Sequence, residues 1–419
     1  MTRTVLIVAH AHPDENPTGG ELAAYELFKA ISARPGYVAH FAAPRVTPRL
    51  SGGRLTNWAG RSNEWELPTG QTDGFLLSQR DVHAVTAFAE LLRRLRPDVV
   101  HLHHYMRSGV EALGVVRNVI PQALLVVTLH EFLAICANNG QMVKAGSFAL
   151  CERSSPEDCS ICFPMRTPDD FAIRRRYVLG NLLKSDILIS PSDFLRQRYV
   201  DWGVPANRIM TAENHIPLMP RLPPRPLVPG ARRAAFGYFG SVGIYKGVRE
   251  LVEAFCLLRE TPEGSGATLT INGMAGNMSP AAQQAFKAAV DRAGSAVRLT
   301  GRYGRDDLPR LMAEVDWVVM PSIWWENSPI VIQEALMFGR PLIVSDIGGM
   351  AEKVRSGIDG FTFPAADIRA LADTMAFAIP RFDTMRLPDM AAVIAERLER
   401  FFAVYEGRIV RVRQEGAPS

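Results

Sequence analysis

The sequence predicts an α/β protein built from two doubly wound parallel sheets that face a central cleft. Three observations predict it. Short apolar runs alternate with amphipathic stretches over residues 5–199, and the same alternation returns over residues 236–344; that pattern marks strand–helix–strand units. Between the halves, Pro217, Pro220, Pro223, Pro224, Pro226 and Pro229 give the segment 216–230 a linker's composition. The chain of 419 residues also exceeds the size at which one hydrophobic core usually stops growing. The expected boundaries are 1–215 for the first domain, 216–234 for the linker and 235–389 for the second domain, with a C-terminal helical segment, 390–419, packing back on the first.

In the first half, residues 5–9, 99–102, 124–129 and 187–190 read as buried strands, because they are continuous apolar runs bounded by polar or turn residues. Residues 20–32, 82–95 and 194–199 carry apolar positions at helical spacing. In the second half the strands are 236–240, 268–271, 297–299, 317–320 and 341–344, and the helices 248–258, 281–293, 307–315 and 330–338. Ligands of such sheets lie beyond the carboxyl ends of the strands, so the loops that follow them are where chemistry is expected.

Composition sets the class. Hydrophobic residues make up 47% and charged residues 21%, as in a soluble globular protein, and the net charge of +4 is too small to argue for nucleic acid. The first apolar run, ended by His10, is too short for a secretory signal, and no apolar stretch reaches membrane-spanning length. A cytoplasmic location is expected. The arginine clusters Arg93, Arg94, Arg96 and Arg174, Arg175, Arg176 are candidates for peripheral contact with an anionic inner membrane face, or are simply solvated helix faces.

Four of the five cysteines, Cys136, Cys151, Cys159 and Cys162, crowd one region. Cys159 and Cys162 form a C-x2-C pair, and four thiolates could close a structural zinc site; four ordinary reduced thiols are the alternative. Cys256 lies in an apolar helical stretch and reads as core.

The most informative motif is Glu326-x7-Glu334. Ser328 suits a helix N-cap and Pro329 the first helical position. The amides near Ile330 and Val331 would then face a phosphate at the positive helix end. Glu334 follows Ile330 by one turn on the same face, where an ionised carboxylate accepts two donors, as from a ribose diol. The segment reads as a clamp for a diphosphate-linked sugar, with Glu326 toward the sugar. Trp324 and Trp325 could stack on that sugar or serve as core.

Further motifs stand in a fixed order around it. They are Thr18-Gly19-Gly20, Thr128-Leu129-His130-Glu131, Phe239-Gly240-Ser241, Lys246-Gly247, Val297 to Gly301, Pro321-Ser322, Gly339-Arg340-Pro341 and Gly348-Gly349. Together they resemble the retaining glycosyltransferases of family 4, which have the GT-B fold of two Rossmann-like domains, and the likeness covers nearly the whole chain. The resemblance implies catalytic roles for His130, Lys246 and Glu326. It implies donor binding by Gly240, Ser241, Lys246, Arg302, Ser328, Ile330, Val331 and Glu334, and substrate contacts from Gly19, Gly20, His130 and Glu326. The donor would be a nucleoside-diphosphate sugar and the acceptor a hydroxyl of a glycan, a lipid-linked sugar or a small molecule, in polysaccharide or glycoconjugate synthesis. No metal would be needed for catalysis. Two positions depart from the pattern: Ser241 stands where the family often has arginine, and Glu131 where it usually has aspartate. Arg302 or Arg249 is then the candidate second cation for the phosphates.

Two other readings compete. Ala11-His12-Pro13-Asp14-Glu15 resembles the opening of the zinc deacetylases acting on N-acetylglucosaminyl compounds, with His10, His12, His101 and His104 as candidate ligands. The likeness stops after about twenty residues, as short motif matches often do. A non-catalytic binder of glycans or nucleotide sugars is the third reading, supported by Ser241.

Overall fold

The computed structural model describes residues 2–46, 55–68, 70–274, 276 and 278–407. The chain divides into two compact units, one running to Pro217 and resuming at Ile394, the other spanning Leu218–Val393.

The first unit comprises β1 (Arg3–Val8), α1 (Gly19–Ser32), β2 (Tyr37–Pro44), β3 (Thr56–Asn57), β4 (Glu64–Leu67), β5 (Thr72–Asp73), β6 (Ser78–Gln79), α2 (Val82–Leu95), β7 (Val99–Leu102), α3 (Ala112–Val119), β8 (Leu124–Thr128), α4 (Pro156–Cys162), α5 (Pro168–Leu182), β9 (Ile187–Ser190), α6 (Asp193–Trp202) and β10 (Ile209–Thr211). Among the described residues its main sheet has eight strands in the order β10-β9-β8-β7-β1-β2-β4-β3, parallel but for β3 against β4. The order reverses between β1 and β7, so the loops after these two strands start side by side. Val5 and Ile7 of β1, Leu27 and Ile31 of α1 and Phe41 of β2 meet in one buried cluster.

The second unit comprises β11 (Ala235–Phe239), α7 (Val248–Arg259), β12 (Thr268–Asn272), α8 (Pro280–Ala293), β13 (Val297–Gly301), α9 (Leu308–Ala313), β14 (Trp317–Met320), α10 (Ile330–Met337), β15 (Leu342–Ser345), α11 (Gly348–Ala351), β16 (Gly360–Phe363) and α12 (Ile368–Ala378). Its six strands are all parallel, in the order β13-β12-β11-β14-β15-β16. Here the reversal falls between β11 and β14. Both units are thus doubly wound parallel α/β structures, the class that the alternation predicts.

The last helix, α13 (Met390–Tyr405), supplies Phe401, Phe402, Val404 and Tyr405 to the core of the first unit. Its Tyr405 hydroxyl bonds His101 Nδ1 at 2.7 Å, and Arg34, just after α1, pairs with its Glu399. The proline-rich segment is not a free linker. It lies on the second unit, where Leu222 N–H donates to Phe338 O (3.3 Å) and Arg340 donates to Pro223 O (2.9 Å). Arg225 of the same segment reaches the fully buried Asp316 at 2.7 Å. Prolines keep the strap extended while its carbonyls and arginine satisfy buried polar groups below it.

Five strands outside the sequence expectation, β2, β3, β4, β10 and β16, complete the two main sheets. β2 carries three alanines and His40, so neither period nor β-branched content marks it. Among the described residues no helix is long and apolar enough to cross a membrane.

Candidate active site

In the second unit the site grows from the reversal between β11 and β14. β11 is followed directly by Gly240, whose φ of +142° favours glycine. Gly273 packs on it so closely that a Cβ there would stand 1.7 Å from Gly240 O. The loop continues through exposed Ser241, whose carbonyl accepts from Tyr238 Oη at 2.7 Å, to Lys246 at the end of a short 3₁₀ turn. Gly247 follows at φ +65°, and a Cβ on it would lie 1.8 Å from Pro321 O. Because Pro321 follows β14, this glycine contact presses the two loops together.

That contact brings Lys246 onto Glu326, eighty positions away in sequence, with Nζ donating to Oε1 at 2.5 Å. Ser322 Oγ (2.8 Å) and Trp324 Nε1 (3.1 Å) donate to the same oxygen. Trp324 stacks on Tyr245 (5.5 Å, 18°) and lies 5.4 Å below the Lys246 ammonium. Burial alone would push the Glu326 carboxyl up, but the Lys246 charge and the three donors outweigh it and hold the group below its ordinary value. Glu326 is therefore a buried, ionised carboxylate. Its backbone is fixed as well, since Gly349 N–H donates to Glu326 O at 2.7 Å.

α10 opens four residues later. The sequence expectation put Ser328 at the N-cap and Pro329 inside the helix. The structure instead starts the helix at Ile330, with extended Pro329 (φ −60°, ψ 123°) as the cap residue and no side-chain cap. The anchored Glu326 carbonyl and the extended bias of a residue before proline hold 326–329 stretched, which delays the helix by one residue. The first amides, at Ile330 and Val331, have no acceptor within the helix by its geometry.

Glu334 stands one turn on. It is half-buried, and its carboxylate has no hydrogen-bond partner among the described residues. Burial pushes it up to about 7, against the opposing charge of Arg305. Arg302, the arginine singled out in the sequence, is exposed, and Arg249 pairs with its neighbour Glu250 at 2.8 Å. Arg305 is the arginine that sequence reasoning missed.

A testable consequence concerns pH. A carboxylate accepts from a diol only when ionised, so a ligand bound through Glu334 should lose affinity as pH falls below about 7. The slope would reach at most about tenfold per pH unit for one proton. Titration calorimetry with a nucleoside diphosphate across this range would show it, and Glu334→Gln should flatten the profile.

In the first unit, the loops after β1, β7 and β8 gather histidines. His10 Nε2 bonds Glu21 of α1 at 2.8 Å, and its ring lies 4.4 Å from that of His104. His104 faces Glu131 at 3.3 Å. His103 Nδ1 meets His130 Nε2 at 3.2 Å, with the rings stacked at 5.3 Å. Burial, then the charges of His104 and His10, lower His130 to about 3, so its ring is neutral. Gly20 opens the first turn of α1 toward this ring, since a Cβ there would sit 3.6 Å from His130 Cγ. Gly19 is exposed just before it. The Glu21 carboxylate is fully buried; burial would raise it, but His10, Thr18 and a backbone amide hold it at about 2.

The candidate deacetylase ligands do not converge. His12 is fully buried and stacks on Trp58 (4.2 Å, 13°). Its Nε2 meets Glu64 at 2.8 Å and its Nδ1 accepts from Asp14 N–H at 3.1 Å. His101 is bonded at both nitrogens, to Tyr405 and to Thr128 Oγ1, each at 2.7 Å. A ring with both nitrogens engaged has none left for a metal.

The four cysteines are free thiols that lie within electrostatic reach of one another, and Cys159 and Cys162 share one face of α4. Burial raises Cys136, Cys151 and Cys159, the last to about 11. Among the described residues no three histidine, cysteine or carboxylate side chains are placed to hold one metal ion, so the zinc expectation gains no geometry from the structure.

Two family profiles match consecutive stretches of this chain. "Glycosyltransferase Family 4" matches residues 17–218 and "Glycosyl transferases group 1" matches residues 233–379. Both halves of the chain thus match glycosyltransferase models, and the fold is GT-B. Among solved structures, the chain resembles Anabaena HepE in complex with UDP and glucose, with a TM-score of 0.62, 16% identity and coverage of 97% and 100% of the two chains. It also resembles the catalytic domain of Arabidopsis thaliana starch synthase IV bound to ADP and acarbose, with a TM-score of 0.65, 16% identity and coverage of 98% and 100%. At such identity these likenesses speak for the fold. Among curated proteins it is 35% identical to the glycogen synthase of Mycobacterium tuberculosis over 135 residues, 32% of this chain. That match spans 31% of the relative's own length.

Proposed function

We propose that this protein is a retaining glycosyltransferase of family 4 that moves a sugar from a nucleoside-diphosphate donor to an acceptor hydroxyl. The Lys246–Glu326 pair carries this reading. It sits where the second sheet reverses order, the place where doubly wound sheets bind ligands, beside the start of α10.

In this reading the diphosphate lies against the first amides of α10, with Lys246 as its point cation. Lys246 then turns from Glu326 toward the phosphate. Oε1 of Glu326 keeps the Ser322 and Trp324 donors, which leaves Oε2 for a sugar hydroxyl. Glu334 takes the ribose diol, and a proton-free carboxylate there is favoured by those two donors. As the anomeric bond breaks, negative charge develops on the departing diphosphate, where Lys246 and the α10 amides stabilise it. The acceptor oxygen attacks from the same face, and its proton passes to the leaving phosphate. His130 is kept as a further proposed sugar contact. The acceptor class is a glycan, a lipid-linked sugar or a small molecule carrying hydroxyls.

Incubation with UDP-, GDP- and ADP-sugars and a panel of hydroxyl acceptors, with proton NMR of the product's anomeric centre, tests this. Transfer with the donor's configuration kept is expected. An inverted product, or binding without transfer to any acceptor, would reject it.

A further inference from the structure

The histidines at the carboxyl ends of β1, β7 and β8 use their ring nitrogens unequally. His12 and His101 are bonded at both. At His104, Nδ1 accepts from the Tyr105 and Met106 amides, each at 2.9 Å, so the proton lies on Nε2 and is directed at Glu131 Oε1 (3.3 Å). His10 differs. Its Nε2 meets Glu21 Oε1 at 2.8 Å, and its other contact is the tilted ring of His104. Among the described residues no group hydrogen-bonds its Nδ1. The side chain keeps 15% of its surface exposed, and Nδ1, unlike Nε2 of His103, is not sealed in the interior.

The tautomer of His10 follows from Glu21. That carboxylate is fully buried and also accepts from Asn16 Nδ2 (2.5 Å) and from the Thr18 hydroxyl. With these donors and His10 it stays ionised, and an ionised carboxylate only accepts. His10 therefore holds its proton on Nε2. Burial lowers the ring below its ordinary value, so at pH 7 it is neutral and Nδ1 carries a bare lone pair.

We infer that His10 is a ligand-binding residue of the first unit: Glu21 holds its proton on Nε2, and Nδ1 accepts a hydrogen bond from a hydroxyl of the acceptor. The arrangement discriminates. A hydroxyl donates to this nitrogen, whereas an unprotonated phosphate or carboxylate oxygen sets lone pair against lone pair. A ring held in place beforehand also lowers the ordering cost of the contact. The parts all belong to the first unit. His10 follows β1, Glu21 lies on α1, and His104, whose ring backs His10 at 4.4 Å, follows β7. They stand where the strand order of the first sheet reverses, the place where such sheets take ligands.

The inference rests on the reading that this protein glycosylates a hydroxyl, and its tests keep the two apart. Nitrogen-15 NMR of the histidine-labelled full chain, with the His10 signals assigned by their loss in His10→Asn, reads the tautomer without any ligand. A protonated Nε2 and a bare Nδ1 are expected, and the opposite tautomer would overturn the inference whatever the enzyme does. The acceptor that wild type glycosylates in the panel above is then added to saturation. It should shift the His10 Nδ1 resonance and leave Nε2 in place; an unmoved Nδ1 would overturn the contact. In kinetics, His10→Leu should raise the acceptor KM about tenfold, as the loss of one hydrogen bond would, with the donor KM unchanged. His10→Asn places an amide oxygen near the position of Nδ1 and should recover most of that loss. An unchanged acceptor KM in His10→Leu, or equal rises in both KM values, would overturn the assignment. Should His10→Leu fail to fold, the two NMR readings decide. If wild type glycosylates no acceptor, the proposed function fails and the contact with it, whereas transfer with an unmoved Nδ1 removes the contact alone.

Discussion

Replacing Lys246 by alanine should lower kcat by about 100- to 1,000-fold, the range found when one preorganised donor to a developing oxyanion is removed. The argument starts from position. The Lys246 ammonium is held 2.5 Å from Glu326 Oε1 and 5.4 Å from the Trp324 ring, so its reach is set before any ligand arrives. With Ser241 in place of a second cation, Arg302 exposed and Arg249 paired with Glu250, a diphosphate bound as proposed would meet few other positive groups among the described residues of this loop. Loss of Lys246 also strips Glu326 of its counter-charge, so a fall in stability is expected beside the fall in rate. Lys246→Ala combined with Glu326→Gln separates the two, because a neutral amide needs no counter-charge. The double variant should regain thermal stability and stay inactive. Release of nucleoside diphosphate from the sugar nucleotide that wild type turns over, followed at saturation, is the measurement. Wild-type turnover in Lys246→Ala would remove Lys246 from the mechanism.

The largest expected effect on stability is at Asp316. Its carboxylate is fully buried just before β14 and accepts from Arg225 (2.7 Å), from Arg233 (3.3 Å) and from the Ala235 amide (3.0 Å). One side chain thus ties the proline-rich strap, the start of β11 and the start of β14. Asp316→Ala leaves two arginines without their anion and a buried amide without its acceptor. Breaking such a buried pair costs about 3–5 kcal/mol, a large share of a domain's stability. Urea unfolding of the full chain should show the midpoint of the second unit falling sharply. A midpoint within experimental error of wild type would show that the strap does not depend on this anchor. Asp316→Asn, which keeps the acceptor for Ala235, should fall between the two.

Much of the fold was legible because strand and helix periods are local. The helix expected at 330–338 is α10 within one residue, and the apolar run 317–320 is β14. What stayed hidden was non-local. Lys246 and Glu326 could each be named from their surroundings, but their contact follows from β11 and β14 being neighbours in the sheet, which alternation does not reveal. The same holds for His103 and His130, which come from the loops after the adjacent strands β7 and β8. Some local signals misled. Ser328 has the chemistry of a cap, yet the tertiary bond to the Glu326 carbonyl fixes where the helix begins. Arg302 lies nearest the strand end, yet it is Arg305, at the start of the next 3₁₀ turn, whose charge reaches Glu334. The deacetylase-like opening illustrates the reverse case. Its His12 is consumed by Glu64 and Trp58, partners far along the chain that a short motif cannot show.

Titration calorimetry of the wild-type protein with UDP, ADP and GDP, repeated on Lys246→Ala and Glu334→Gln, bears most directly on the claim that the β11 and β14 loops and α10 form a nucleoside-diphosphate clamp. At least one nucleotide should bind wild type and should bind each variant about tenfold or more weakly, a loss of roughly 1.4 kcal/mol. Undiminished binding in both variants, or no binding of any nucleotide to wild type, would contradict it.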